Sequence, residues 1–226
     1  MRDRSSRNSS YSVDLVLVTA TRHELAVLLT RSPSERERWA LPWRLPQAGE
    51  TFEESATRAA RDALGEAPAW MEQIGAFGDG KRHPGDGDIS VAYVALVPHE
   101  TASPHAGYAW FQVSDLPPLS PRQRAIVDGG IGTIQERLDQ APIAFRLLPS
   151  TFTLSELQHM YELLLGKRLH KASFRRALQA AWLVEPTEEM RSEGRGRPAQ
   201  LYRYLPKKRR KAHRGVRFDF RTPERQ

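Results

Sequence analysis

Lys171, Ser173, Arg175 and Arg176 lie within six residues of one another, and Arg195 and Arg197 are interleaved with Gly194 and Gly196. Residues of these types at these spacings are suited to gripping a polyanion. Guanidinium groups hold phosphate oxygens in bidentate pairs and reach the acceptor edge of guanine. Lysine and serine add backbone contacts that position a protein on a duplex. The glycines let the chain approach a sugar–phosphate strand closely, so that Arg195 and Arg197 can grip phosphates or enter a minor groove. Other chemistry is closed to the chain. It has no cysteine, which removes disulfides, thiolate catalysis and cysteine-based zinc sites. Its seven histidines show no metal-ligand spacing such as H-x₃-H, and no metal site is expected.

The charge is unevenly distributed along the chain. Residues 141–226 hold 19 Lys and Arg against 8 Asp and Glu, whereas residues 1–140 hold 15 against 19. A formal balance of +11 behind and −4 in front implies two parts with different partners.

The elements that must carry the basic residues read as a helix-turn-helix. Thr153 with Glu156 makes a capping box, and Phe152 before it is placed as a staple. Leu154, Leu157, Met160, Tyr161, Leu164 and Leu165 trace one apolar helix face, and Gly166 ends the helix. A second helix runs from Lys171 to about Ala181, with Phe174, Leu178 and Ala181 inward and Lys171, Ser173, Arg175 and Arg176 outward. Leu183-Val184 and Leu201–Tyr204 pair as strands around a Glu/Gly/Arg-rich loop, which forms a wing. The expectation is therefore a winged-helix DNA-binding domain over residues 141–205, followed by a basic tail over 206–226 with the charge run Lys207–Lys211.

The front part alternates strands with one clear helix. Val13–Thr19 and Leu25–Leu29 are adjacent strands, followed by a charged loop over Ser32–Trp39 and an irregular stretch over Leu41–Gly49. Thr51 and Glu54 cap a helix whose Ala56, Ala59, Ala60, Ala63 and Leu64 form a small-residue face, stopped by Gly65. Trp70–Phe77, Ile89–Val97 and Trp110–Val113 are strands, the second nearly all apolar and so central. Ser120-Pro121 opens a linker helix over 120–138, which Gly129-Gly130 weakens and invites to bend. Residues 1–12 are a polar tail without the apolar core of a signal peptide. No apolar run approaches the ~18 residues of a membrane span. The expectation is a soluble, cytoplasmic protein.

Leu41–Gly65 resembles the Nudix box. Aligned through Gly49-Glu50 and Gly65, Glu50 and Arg58 fall in register, and Arg44 replaces the leading glycine. The three helix carboxylates that hold magnesium in Nudix hydrolases correspond to Ala59, Asp62 and Ala63. Magnesium requires hard oxygen ligands in near-octahedral array, and alanine supplies none. The resemblance thus implies a degenerate box of Glu50, Arg58 and Asp62, no catalytic residues, no cofactor and no enzyme. A Nudix pocket without catalysis can still bind a nucleotide-like ligand, with Trp43 stacking on a base and Arg44, Lys81 and Arg82 facing a diphosphate.

Ala141–Leu148, Phe152–Gly166, Phe174-Arg175-Arg176 and Gly196–Arg203 look like the C-terminal domain of the Nudix-related regulators of NrtR type. Phe77-Gly78-Asp79 and Ser90–Pro98 look like the same family's sensor domain. The resemblance implies an α+β chain, with a Nudix-like α/β/α sandwich over 13–140 that senses ligand, then the winged helix over 141–205. It implies a homodimer on a near-palindromic operator, an ADP-ribose-like effector, and repression of NAD-metabolism genes. Two alternatives stay open at this point: an active hydrolase of nucleoside diphosphate derivatives, and a regulator of sugar utilisation.

Overall fold

The computed structural model describes residues 11–31, 38–78, 88–98, 103–192 and 198–206. Two compact units share the chain, Met1–Thr133 and Ile134–Gln226. Among the described residues no helix is long and apolar enough to cross a membrane.

The first unit is a sheet with a helix on each face. Strands β1 (Tyr11–Ala20), β2 (Leu25–Arg31), β3 (Trp39–Ala40), β4 (Trp43–Arg44), β5 (Trp70–Phe77), β6 (Ile89–Leu96) and β7 (Tyr108–Gln112) join in the order β3-β2-β1-β6-β5. β4 pairs with β1 and β7 with β2. β1 and β6 run parallel in the centre, and nearly every residue of both is buried. Burial on both faces is why these strands read as continuous apolar runs rather than alternating ones.

Helix α1 (Phe52–Leu64) is capped as its sequence predicts. The Thr51 hydroxyl accepts from the Glu54 N–H, the Glu54 carboxylate accepts from the Thr51 N–H at 2.8 Å, and Gly65 closes the helix at φ 82°. Ala56, Ala59, Ala60 and Ala63 are buried against Val13, Leu15, Leu17, Val91 and Tyr93. Helix α2 (Pro121–Leu138) lies against Val16, Ile74, Phe77 and Val94 at Gly129 and Gly130. A Cβ added at Gly130 would stand 3.3 Å from Val94 and 3.4 Å from Val16. Gly129-Gly130 therefore does not interrupt the helix. α2 is one continuous helix, and the glycines let it approach the strands closely.

Several sequence boundaries move, among them that of β7, which starts at Tyr108 and gives way at Val113 to a 3-10 turn. β1 takes in Tyr11 and Ser12, which composition assigned to the tail. The buried Ser12 hydroxyl donates to Asp14 at 2.8 Å and lies 3.2 Å from the Ser90 hydroxyl. Trp39, assigned to a loop, begins β3 and packs edge-on to Phe111 at 4.7 Å, a partner far away in sequence.

In the second unit, a 3-10 turn over Ile143–Leu147 and strand β8 (Thr151–Phe152) lead into α3 (Leu154–Leu165) and α4 (Lys171–Ala181). β9 (Val184–Arg191) and β10 (Ala199–Tyr204) follow, and the sheet order is β8-β10-β9. The core gathers Phe152, Leu157, Tyr161, Leu164, Phe174 and Leu178, with Tyr161 and Phe174 at 5.6 Å between centroids. The wing strand is longer than its apolar content announces. Glu185–Arg191, read from sequence as loop, continues β9. β9 is an edge strand, so Pro186 and the glutamates can face solvent without costing a ladder bond. Arg191 ties it to α3 through Glu156 at 2.6 Å.

Candidate nucleic-acid interface and effector domain

The basic helix face is held outward by the core beneath it. Phe174 and Leu178 are each 1% exposed, which leaves Lys171, Ser173, Arg175 and Arg176 on the solvent side of α4. Among the described residues Lys171, Arg175 and Arg176 form no ion pair. Ser173 lies 3.3 Å from the ring of His170, the residue before the helix.

Glu162 fixes the turn between the two helices. Its carboxylate accepts from the Leu169 N–H at 2.9 Å and from Gln158 at 3.0 Å, and Arg168 stands 3.4 Å away. Burial pushes this carboxyl up, but the Gln158 amide, the Leu169 N–H and Arg168 outweigh it and hold it below its ordinary value. The ionised Glu162 thus braces the start of α4 against α3. Arg195 and Arg197 lie outside the described residues, in the segment joining β9 to β10.

In the first unit the degenerate box is tied up by arginines. Arg58 grips Glu50 with two bonds, Nε to Oε1 at 2.8 Å and Nη2 to Oε2 at 2.7 Å, and also donates to the Leu45 carbonyl. The Gln47 N–H donates to Glu50 as well, at 2.7 Å. The Arg58 guanidinium, helped by that N–H, lowers the Glu50 carboxyl to about 2. Ala59 and Ala63 are buried in the apolar cluster under the helix.

Arg44 is ion-paired within the box. Its Nε donates to Asp62 at 2.8 Å and its Nη2 stands 2.7 Å from the same oxygen, while Nη1 donates to the Trp43 carbonyl. The guanidinium expected to face a diphosphate is paired with Asp62, the carboxylate left at that end of the box. Trp43 is half-buried in β4, opposite Asp14. Lys81 and Arg82 lie outside the described residues. Among the described residues no three His, Asp or Glu side chains gather into a cation site.

Two features escape a reading by motif. The Arg44–Asp62 pair joins residues 18 apart on different elements. A cavity of ≈730 Å³ opens in the second unit between α4 and the wing, beside Trp182. The only hint of it in the sequence is a tryptophan at the end of an otherwise basic helix.

These elements define a Nudix-type sandwich joined to a winged helix. Residues 10–129 match the NUDIX domain, and residues 144–204 match the NrtR DNA-binding winged helix domain. The chain belongs to the NUDIX-domain family, in the NrtR-type architecture where that domain precedes a winged helix. It is similar to NrtR of Shewanella oneidensis in complex with a 27mer DNA, with a TM-score of 0.76 and 28% identity over 86% of this chain and 93% of that one. A relative from Acinetobacter baylyi, described as an ADPR responsive transcriptional repressor, is 26% identical over 203 residues, 85% of this chain and 81% of the relative. A MutT/nudix family protein from Enterococcus faecalis shares the fold at 19% identity and a TM-score of 0.69, covering 90% of each chain.

Proposed function

We propose that this protein is a transcriptional repressor that binds operator DNA through its winged helix and responds to an ADP-ribose-like nucleotide held by its NUDIX domain. The observation that carries the reading is the outward face of α4. Three cations without ion pairs among the described residues sit on a helix anchored by Phe174 and Leu178, a design suited to the major groove. The similarity to a DNA-bound NrtR over most of both chains supports it. The ADPR-responsive relative from Acinetobacter baylyi supports the effector class.

The NUDIX domain acts as a sensor and not as a hydrolase. Ala59 and Ala63 offer no oxygen to magnesium, and Asp62 is already paired with Arg44. The protein works in the cytoplasm as a homodimer, because a two-fold arrangement places two recognition helices on successive turns of a palindromic site. Its targets are genes of NAD metabolism.

Fluorescence anisotropy on DNA from upstream of such genes tests the reading, with and without ADP-ribose. Binding should be tighter than to shuffled DNA of equal length, and ADP-ribose should change it. Indifference to DNA sequence would overturn the repressor, and magnesium-dependent release of AMP from ADP-ribose would overturn the sensor. Sedimentation velocity reads the dimer, and transcript levels in a deletion strain read the target genes.

A further inference from the structure

Trp182 combines two properties that folding alone does not reward. It is 72% exposed, and it holds φ 54° and ψ 41° as the residue that ends α4. It is the one non-glycine among the described residues at positive φ. That backbone position suits glycine or asparagine, and a bulky side chain there is strained. An indole that is both strained and wet returns little to the fold. Strain of this kind gathers where a surface binds something.

The surroundings name the occupant. Arg175, Gln179 and Trp182 follow one another along a single stripe of α4 and line the ≈730 Å³ cavity. Pro186 and Tyr202 of the wing hairpin line it as well, with Ser155 at the start of α3. No aspartate or glutamate lines it, and its one charged residue is Arg175. The cavity therefore favours an anion with an apolar face. A helix lying in a major groove and a hairpin beside it flank one sugar–phosphate strand of the duplex. The cavity lies between those two elements.

We propose that this cavity seats that strand, with a deoxyribose packed on the Trp182 indole and its phosphate on Arg175. The proposal rests on the DNA-binding reading above and adds a contact made by shape rather than charge. Contacts to sugar and phosphate fix the register of the protein on the duplex, so Trp182 positions the neighbouring arginines and does not read a base.

Trp182→Gly separates this role from a structural one. Glycine relieves the backbone strain, so the variant should melt no lower than the wild type. Its affinity for the operator duplex should nevertheless fall about tenfold, similarly on operator and shuffled DNA. Because no charge is lost, the slope of log affinity against log salt should stay unchanged, whereas Arg175→Ala should reduce it by about one. Trp182 is the single tryptophan after residue 140. The fluorescence difference between the wild type and Trp182→Phe should accordingly change when duplex is added. Wild-type affinity in Trp182→Gly, or an indole signal unmoved by saturating duplex, overturns the proposal and leaves the repressor reading standing. Failure of the wild-type protein to bind any duplex overturns both.

Discussion

At Glu50 and Asp62, side chains of the kind that could hold a metal serve as anchors for arginine. Arg58 holds the Glu50 carboxyl near 2, far below an ordinary carboxyl value of ~4.3. A depressed value in the folded state means that the pair's stabilisation is complete above the ordinary value and disappears as pH falls toward about 2. Glu50→Gln should therefore melt below the wild type at about pH 6, and the gap should close as the pH drops toward 2.5. A gap that stays constant across thermal melts in this window would refute the assignment. The Arg44–Asp62 pair is partly exposed, with side chains at 33% and 42%. A double-mutant cycle on Arg44→Ala and Asp62→Ala, read by urea denaturation, should give a coupling of roughly 0.2–1 kcal/mol. Nothing in residue order reports this pair, since it depends on where β4 lies relative to the end of α1.

The helices divide into what local rules settle and what packing settles. Both capping boxes and the closing Gly65 and Gly166 are legible in sequence because every bond they make spans a few residues. The glycines of α2 are different. Their spacing suggests a weak point, yet Gly130 is required by the closeness of Val16 and Val94, whereas Gly132 has nothing within 4 Å of an added Cβ. Gly130→Leu should destabilise the first unit by about 1–3 kcal/mol through overpacking. Gly132→Ala should stabilise it by about 0.5–1 kcal/mol through helix propensity alone. Urea midpoints that move in the same direction for both variants would show that the close approach is not what places glycine at position 130. The extension of β9 through its glutamates was hidden for a similar reason. Strand identity there comes from pairing with β10, not from alternation of its own residues.

For the whole molecule, the split of charge along the chain argues that affinity for DNA resides in the second unit and is electrostatic in large part. Operator affinity should fall linearly on a log–log plot as salt rises, with a slope set by the number of phosphates neutralised. Arg176→Ala should weaken operator binding by ~1–3 kcal/mol where its side chain meets a base edge, whereas Arg175→Ala removes the phosphate contact proposed above. Loss of a contact to phosphate alone should weaken operator and shuffled DNA alike, which competition titrations distinguish.

Sequence by itself determined the order of the long strands and of the helices, the caps of α1 and α3, and the inward and outward faces of α3 and α4. All of these follow from spacings of a few residues, which backbone geometry turns directly into faces and ends. Tertiary structure alone decided that Arg44 meets Asp62, that β9 runs on through its glutamates, and that Trp182 borders a cavity against the wing. Each of those depends on two elements arriving side by side, and the distance between them in space is not written in the distance along the chain.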